Sequence, residues 1–157
     1  MTDAPNVSND TPSKPWANLD LQIAKIFPWN LENCLALILL ILAVCTRLYG
    51  LGDRNISHDE VNHLVPSYDL AQGLGFRFSP MTHGPLQMHL IALSFVTLGD
   101  NDFTARLPAA LFSIATVGIA LFLFRRYLGR NGALVAGFLF LISPYMLYYG
   151  RYQRNEA

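Results

Sequence analysis

Apolar residues along the chain gather into long stretches separated by polar connectors. The first, Leu31 to Tyr49, holds Leu35-Ala-Leu-Ile-Leu-Leu-Ile-Leu-Ala-Val-Cys45 without a charge and is bounded by Glu32 and Arg47. It approaches the roughly 20 residues a helix needs to cross a bilayer. Thr104 to Phe124 is a second such stretch, with Arg106 at its start and Pro108 tolerable in its first turn. Asn131 to Gly150 is a third, expected to bend at Pro144 and edged by Tyr145, Tyr148 and Tyr149 as an aromatic belt would be. Pro85 to Leu98 is shorter and interrupted by Gln87 and His89, which suits a helix lying in the membrane interface as well as a span.

The connectors differ in character. Residues 1–30 are polar and marked by Pro5, Pro12, Pro15 and Pro28, and no basic segment precedes an apolar core. They read as a flexible cytoplasmic tail with an interfacial turn near Leu19 to Phe27, not as a signal peptide. Residues 50–83 form a long polar connector, of a length usually reserved for function or disorder. Order is favoured by Ser57 followed three residues later by Glu60, a capping box that starts a helix. Asp59 then falls in the first turn, where the helix dipole favours its ionised form. Val61, Leu64, Val65 and Leu70 are expected to line one side of this helix over about residues 58–72, with a kink at Pro66 and a stop at Gly73.

Composition strengthens the membrane reading: 52% of residues are apolar and 14% charged, against about 25% charged in soluble proteins. A formal charge of zero leaves no basic surface for nucleic acid. Cys34 and Cys45 lie too far apart on one helix, roughly 16 Å, to form a disulfide.

Topology turns on whether 85–98 crosses. Summed Lys and Arg do not decide it, but Arg125, Arg126 and Arg130 crowd one short turn, which the positive-inside rule places in the cytoplasm. The expectation is an all-α membrane protein with three transmembrane helices (31–49, 104–124, 131–150), a cytoplasmic N-terminus and interfacial helices at 58–72 and 85–98 in a long first outer loop. Four spans are the alternative. Only three spans place Asp59 and the segment Arg151 to Glu156 on the same, outer side.

That side would hold an Asp-Glu pair, an Arg opening the next span, and an Arg-rich segment ending in an acid. Cations suit an anionic lipid head group, and a carboxylate suits deprotonation of an acceptor. Glycosyl transfer from a lipid phosphate needs both: phosphate leaves without acid assistance, whereas the attacking hydroxyl or amine needs a base. One base with in-line attack implies inversion at the sugar carbon. The bland readings are that Glu60 serves only the capping box and that Arg106 and Arg151 snorkel to the interface. His58 and His63 lack the spacing of a metalloprotease helix and have no third ligand near in sequence. No metal site and no cofactor are assigned, with a divalent metal left open.

The succession Arg47-Leu-Tyr-Gly-Leu, His58-Asp59-Glu60, His83-Gly-Pro-Leu, Asn101-Asp-Phe-Thr-Ala-Arg106-Leu-Pro, Ser143-Pro-Tyr, Gly150-Arg151 and Glu156 resembles the N-terminal third of a GT-C glycosyltransferase. Families that share this pattern include the protein O-mannosyltransferases, the lipid A aminoarabinose transferases and the flippase-activity-associated membrane proteins. The resemblance implies a polytopic enzyme of the cell membrane that uses a polyprenyl- or dolichyl-phosphate sugar at the outer face. It implies catalysis by Asp59 and Glu60, with Asp59 the base, and substrate binding by His58, Arg106, Arg151 and Glu156, the last where Asp is commoner in the family. Residues 31–157 would be the first part of such a transmembrane domain and inactive alone. A non-catalytic subunit of a larger membrane complex, or a flippase-associated component, is the competing reading.

Overall fold

The computed structural model describes residues 30–75 and 85–153. The expected N-terminal tail, His83 and Glu156 lie outside them. Among the described residues the fold is all-helical: α1 (Leu31–Leu48), α2 (His58–Ala71), α3 (Pro85–Leu98), α4 (Asp102–Gly118) continued by a π-helical turn (Ile119–Leu123), α5 (Arg125–Ile142) and the short α6 (Pro144–Tyr149).

Two helices are long and apolar enough to cross a membrane, Leu31–Leu48 and Asp102–Leu123. Leu35, Ile38, Ile41 and Leu42 of α1 and Leu111, Phe112, Ile119, Phe122 and Leu123 of the second are exposed. Such apolar surface is unfavourable in water and suits lipid. This is the architecture of an integral membrane protein.

Small side chains on α1 and α5 let neighbouring helices approach closely, as is common between helices in lipid. Ala36 and Ala43 of α1 pack with Val117, Leu121 and Leu141. Gly137 of α5 leaves the space that Leu121 of the π turn fills; a Cβ there would collide with it. Directions follow from the ends. Arg125, opening α5, binds Glu32 at the start of α1 at 2.7 Å, and Arg130 binds the same carboxylate at 2.8 Å. At the other end Arg47 of α1 reaches the last turn of α5, so α1 and α5 are parallel and α4 runs against them.

Arg47 is fully buried and explains how the third apolar stretch ends. Pro144 has no N–H to offer the carbonyl of Phe140, and Ser143 is extended (φ −58, ψ 119), so the expected bend is a break. Arg47 Nη2 donates to the Phe140 carbonyl at 2.8 Å and Nη1 to that of Leu141 at 3.3 Å. Its Nε donates to Ser113 Oγ of α4 at 3.3 Å. One guanidinium thus replaces the helix bond that the proline removes, binds the carbonyl after it and ties three helices together.

Three local expectations are corrected. Asn101 caps α4, its Oδ1 accepting the Thr104 N–H at 2.9 Å, so the helix begins at Asp102 and Pro108 lies inside it beyond the first turn. The basic turn is helical too: α5 opens at Arg125 and takes its corner at Gly129, whose φ of 69 is a left-handed conformation glycine adopts without strain. In α2 the packed face is Glu60, His63, Leu64 and Ser67, while Val61 and Val65 are exposed. Arg106 draws Glu60 inward and so sets the helix rotation. The helix passes through Pro66 and stops as expected: Leu74 N–H bonds the Asp69 carbonyl and Gly73 N–H that of Leu70, a Schellman motif with Gly73 at φ 78.

α2 and α3 form a small layer over the start of α4, where Leu64, Ile91 and Ala105 meet beside Phe95. Tyr68 packs edge-on against Phe95.

Candidate active site

Local sequence builds the first part of the site. Ser57 is extended (φ −84, ψ 162) and caps α2, its Oγ accepting the Glu60 N–H at 3.4 Å while Glu60 Oε2 accepts the Ser57 N–H at 3.0 Å. The capping box read from the sequence is therefore formed. It puts His58, Asp59 and Glu60 at the first three helical positions, with His58 and Asp59 exposed and Glu60 fully buried.

Glu60 does far more than cap. Arg106 Nε donates to Oε1 at 2.9 Å and Nη2 to Oε2 at 3.0 Å, a bidentate pair buried on both sides. Gln153 N–H donates to Oε1 at 3.1 Å, and Arg54 Nη2 reaches Oε2 at 3.4 Å. Arg106 spends its remaining N–H groups on the loop before α2: Nη1 on the carbonyls of Leu51 (3.1 Å) and Arg54 (2.8 Å), Nη2 on that of Asn55 (3.3 Å). All five of its donors are thereby committed within the chain. The loop carbonyls have no helical partners, so Arg106 is what orders residues 51–55.

Burial alone would raise the Glu60 pKa. The hydrogen bond from Arg106, those from the Ser57 and Gln153 amides, and the Arg106 charge outweigh it and hold the carboxyl at about 2 against an ordinary 4.5. A carboxyl depressed on folding stabilises the folded state fully above its unfolded pKa, and that contribution is lost as pH falls through the folded value. Acid titration of the purified protein should therefore lower its unfolding temperature progressively between about pH 4.5 and about pH 2. The same titration of a Glu60→Gln variant should be flatter over that window; identical profiles would show that Glu60 is not the group responsible.

Residues 151–153 close the site. Arg151 Nη2 donates to the carbonyls of Tyr49 and Gly50 at 2.6 and 2.8 Å, satisfying the C-terminus of α1. Tyr152 Oη lies 2.6 Å from Ser57 Oγ and 3.5 Å from Asp59 Oδ2. The side-chain amide of Gln153 is fully buried and has no partner among the described residues. Arg54 lies against the rings of Tyr148 and Tyr152, 5.2 and 4.9 Å from their centroids, and those rings stack on each other.

Of the residues expected to share a site, Asp59, Glu60, Arg106 and Arg151 are brought to one end of the bundle and His58 adjoins them. The roles differ within that group. Asp59 and His58 face outward, Glu60 and Arg106 are enclosed by protein, and Arg151 is partly occupied by α1. Sequence reasoning missed Arg54, Tyr152 and Gln153. The spacing of Tyr148 and Tyr152, one helical turn, was a signal, but belt tyrosines show the same pattern. Among the described residues no group of three His, Cys, Asp or Glu is placed to hold a metal.

Residues 82–157 match the sequence model of the dolichyl-phosphate-mannose-protein mannosyltransferase family. No curated protein matches the chain. No solved structure matches it.

Proposed function

We propose that the chain serves an inverting membrane glycosyltransferase, which moves a sugar from a polyprenyl- or dolichyl-phosphate donor to an acceptor at the outer membrane face. The observation that carries this reading is the contrast within Asp59-Glu60: one carboxylate exposed at a helix start, the next locked beneath it by a buried guanidinium. The match to a mannosyltransferase family over 82–157 supports the reaction class.

In this reading Asp59 accepts the proton of the attacking hydroxyl or amine. The nucleophile bonds to the anomeric carbon as the bond from that carbon to the phosphate oxygen breaks, and the electron pair leaves with the phosphate. Glu60 and Arg106 are positioning residues: they fix the loop and first turn that aim Asp59. Arg151 and His58 are assigned to substrate binding, as is Glu156, which lies outside the described residues.

Topology supports a site on one face. Gln153 N–H bonds Glu60 at 3.1 Å, which four spans would put on opposite sides of the bilayer. The 14 residues of α3 span about 21 Å, short of a hydrocarbon core of about 30 Å, which supports the reading that α3 lies along the outer interface and that three segments cross. The arginines of the α4–α5 corner then face the cytoplasm with the N-terminus, in the cell membrane.

The full-length protein in proteoliposomes should transfer label from one of a panel of polyprenyl-phosphate sugars, with the anomeric configuration of the product opposite to that of the donor. Retention of configuration, or no transfer from any of them, would count against the proposal.

A further inference from the structure

We infer that Arg54 is the residue that holds the phosphate group of the donor. This rests on the proposed function and assigns the role to a residue other than the one its motif suggests. Arg106, the Arg that opens α4, has every N–H bound to the chain, so a phosphate could reach it only by displacing the contacts that order the loop. Arg54 is the opposite case. Its side chain is 40% exposed, and its one hydrogen bond among the described residues, Nη2 to Glu60 Oε2, is long at 3.4 Å. That oxygen already accepts from the Ser57 amide at 3.0 Å and Arg106 at 3.0 Å. Losing the third and longest contact leaves Glu60 satisfied.

The guanidinium is nonetheless held in place, because Tyr148 and Tyr152 lie against it. Cation–π contact restrains an Arg without using its N–H groups, and Arg54 Nε and Nη1 donate to no described residue. A pre-placed planar fork with unspent donors is suited to two oxygens of a phosphate. Its location also fits the reaction. Tyr152 carries Arg54 on its ring and turns its hydroxyl toward Asp59 Oδ2 at 3.5 Å. Cation and base therefore adjoin one tyrosine, which brings a group for the departing phosphate and a group for the incoming nucleophile into one site.

Calorimetry on the full-length protein in lipid nanodiscs, with farnesyl phosphate and separately inorganic phosphate as probes, tests this. Arg54→Gln should weaken farnesyl phosphate about tenfold or more, the usual effect of removing a charge-assisted hydrogen bond. Arg54→Lys, which keeps the charge but loses the fork, should be intermediate. If inorganic phosphate binds the wild type as tightly as farnesyl phosphate and is lost with Arg54→Gln, Arg54 is a site for free phosphate, and its assignment to the donor is overturned. Equal farnesyl phosphate binding by wild type and Arg54→Gln would overturn the role of Arg54 while leaving the proposed function standing. No binding of either probe by the wild type would overturn both.

Discussion

Replacing Glu60 or Arg106 with alanine should cost about 3–5 kcal/mol of folding stability, enough to deplete folded protein from a detergent extract, because each change leaves the other charge buried without its partner. Both side chains are almost wholly enclosed, and their contact is bidentate. Exposed ion pairs contribute little by comparison, typically under about 1 kcal/mol, so Arg130→Ala, which breaks a contact of a side chain 64% exposed, should hardly register. The double variant Glu60→Leu/Arg106→Met removes both charges. It should be no worse than either alanine variant, because the coupling between contacting groups is then absent from both sides. Full recovery is not expected: the carbonyls of Leu51, Arg54 and Asn55 and the amides of Ser57 and Gln153 lose their partners together. Thermal unfolding of the four proteins checks this. Strictly additive losses would mean that the pair is not a unit.

What could be read from the chain depended on how far apart the interacting groups lie in it. The capping box at Ser57 and the stop at Gly73 are legible because each motif closes within six residues. The second role of Glu60 was hidden because its partner Arg106 lies 46 positions on, and no periodicity in residues 58–71 announces that a carboxylate, not Val61 or Val65, will face the core. Arg47 is a sharper case. As the last charged residue of an apolar stretch it looks like a membrane boundary, yet it is buried, because Pro144 frees a carbonyl 93 residues away. Pro144 itself was visible, but whether a proline bends a helix or breaks it depends on what satisfies the freed carbonyls, and that is a tertiary fact. Within the candidate site, the residues carrying a motif were named from the sequence and those carrying only geometry, Arg54, Tyr152 and Gln153, were not.

Asp59 separates catalysis from folding better than any other position. Asp59→Asn preserves shape and removes the charge. Its structural cost includes the interaction of an exposed carboxylate with a helix start, about 0.3–1 kcal/mol, and the long contact with the Tyr152 hydroxyl at 3.5 Å. As the base it would be responsible for about 10²- to 10⁴-fold in rate, or roughly 3–5 kcal/mol of transition-state stabilisation. The second effect is several times the first, so a large loss of transfer in a protein that still unfolds near the wild-type temperature cannot be ascribed to the fold. The direct measurement is the turnover of purified full-length Asp59→Asn in proteoliposomes, with its unfolding temperature and farnesyl phosphate affinity taken on the same sample. The account predicts turnover reduced at least 100-fold with the other two quantities near wild type. Turnover close to that of the wild type would contradict it.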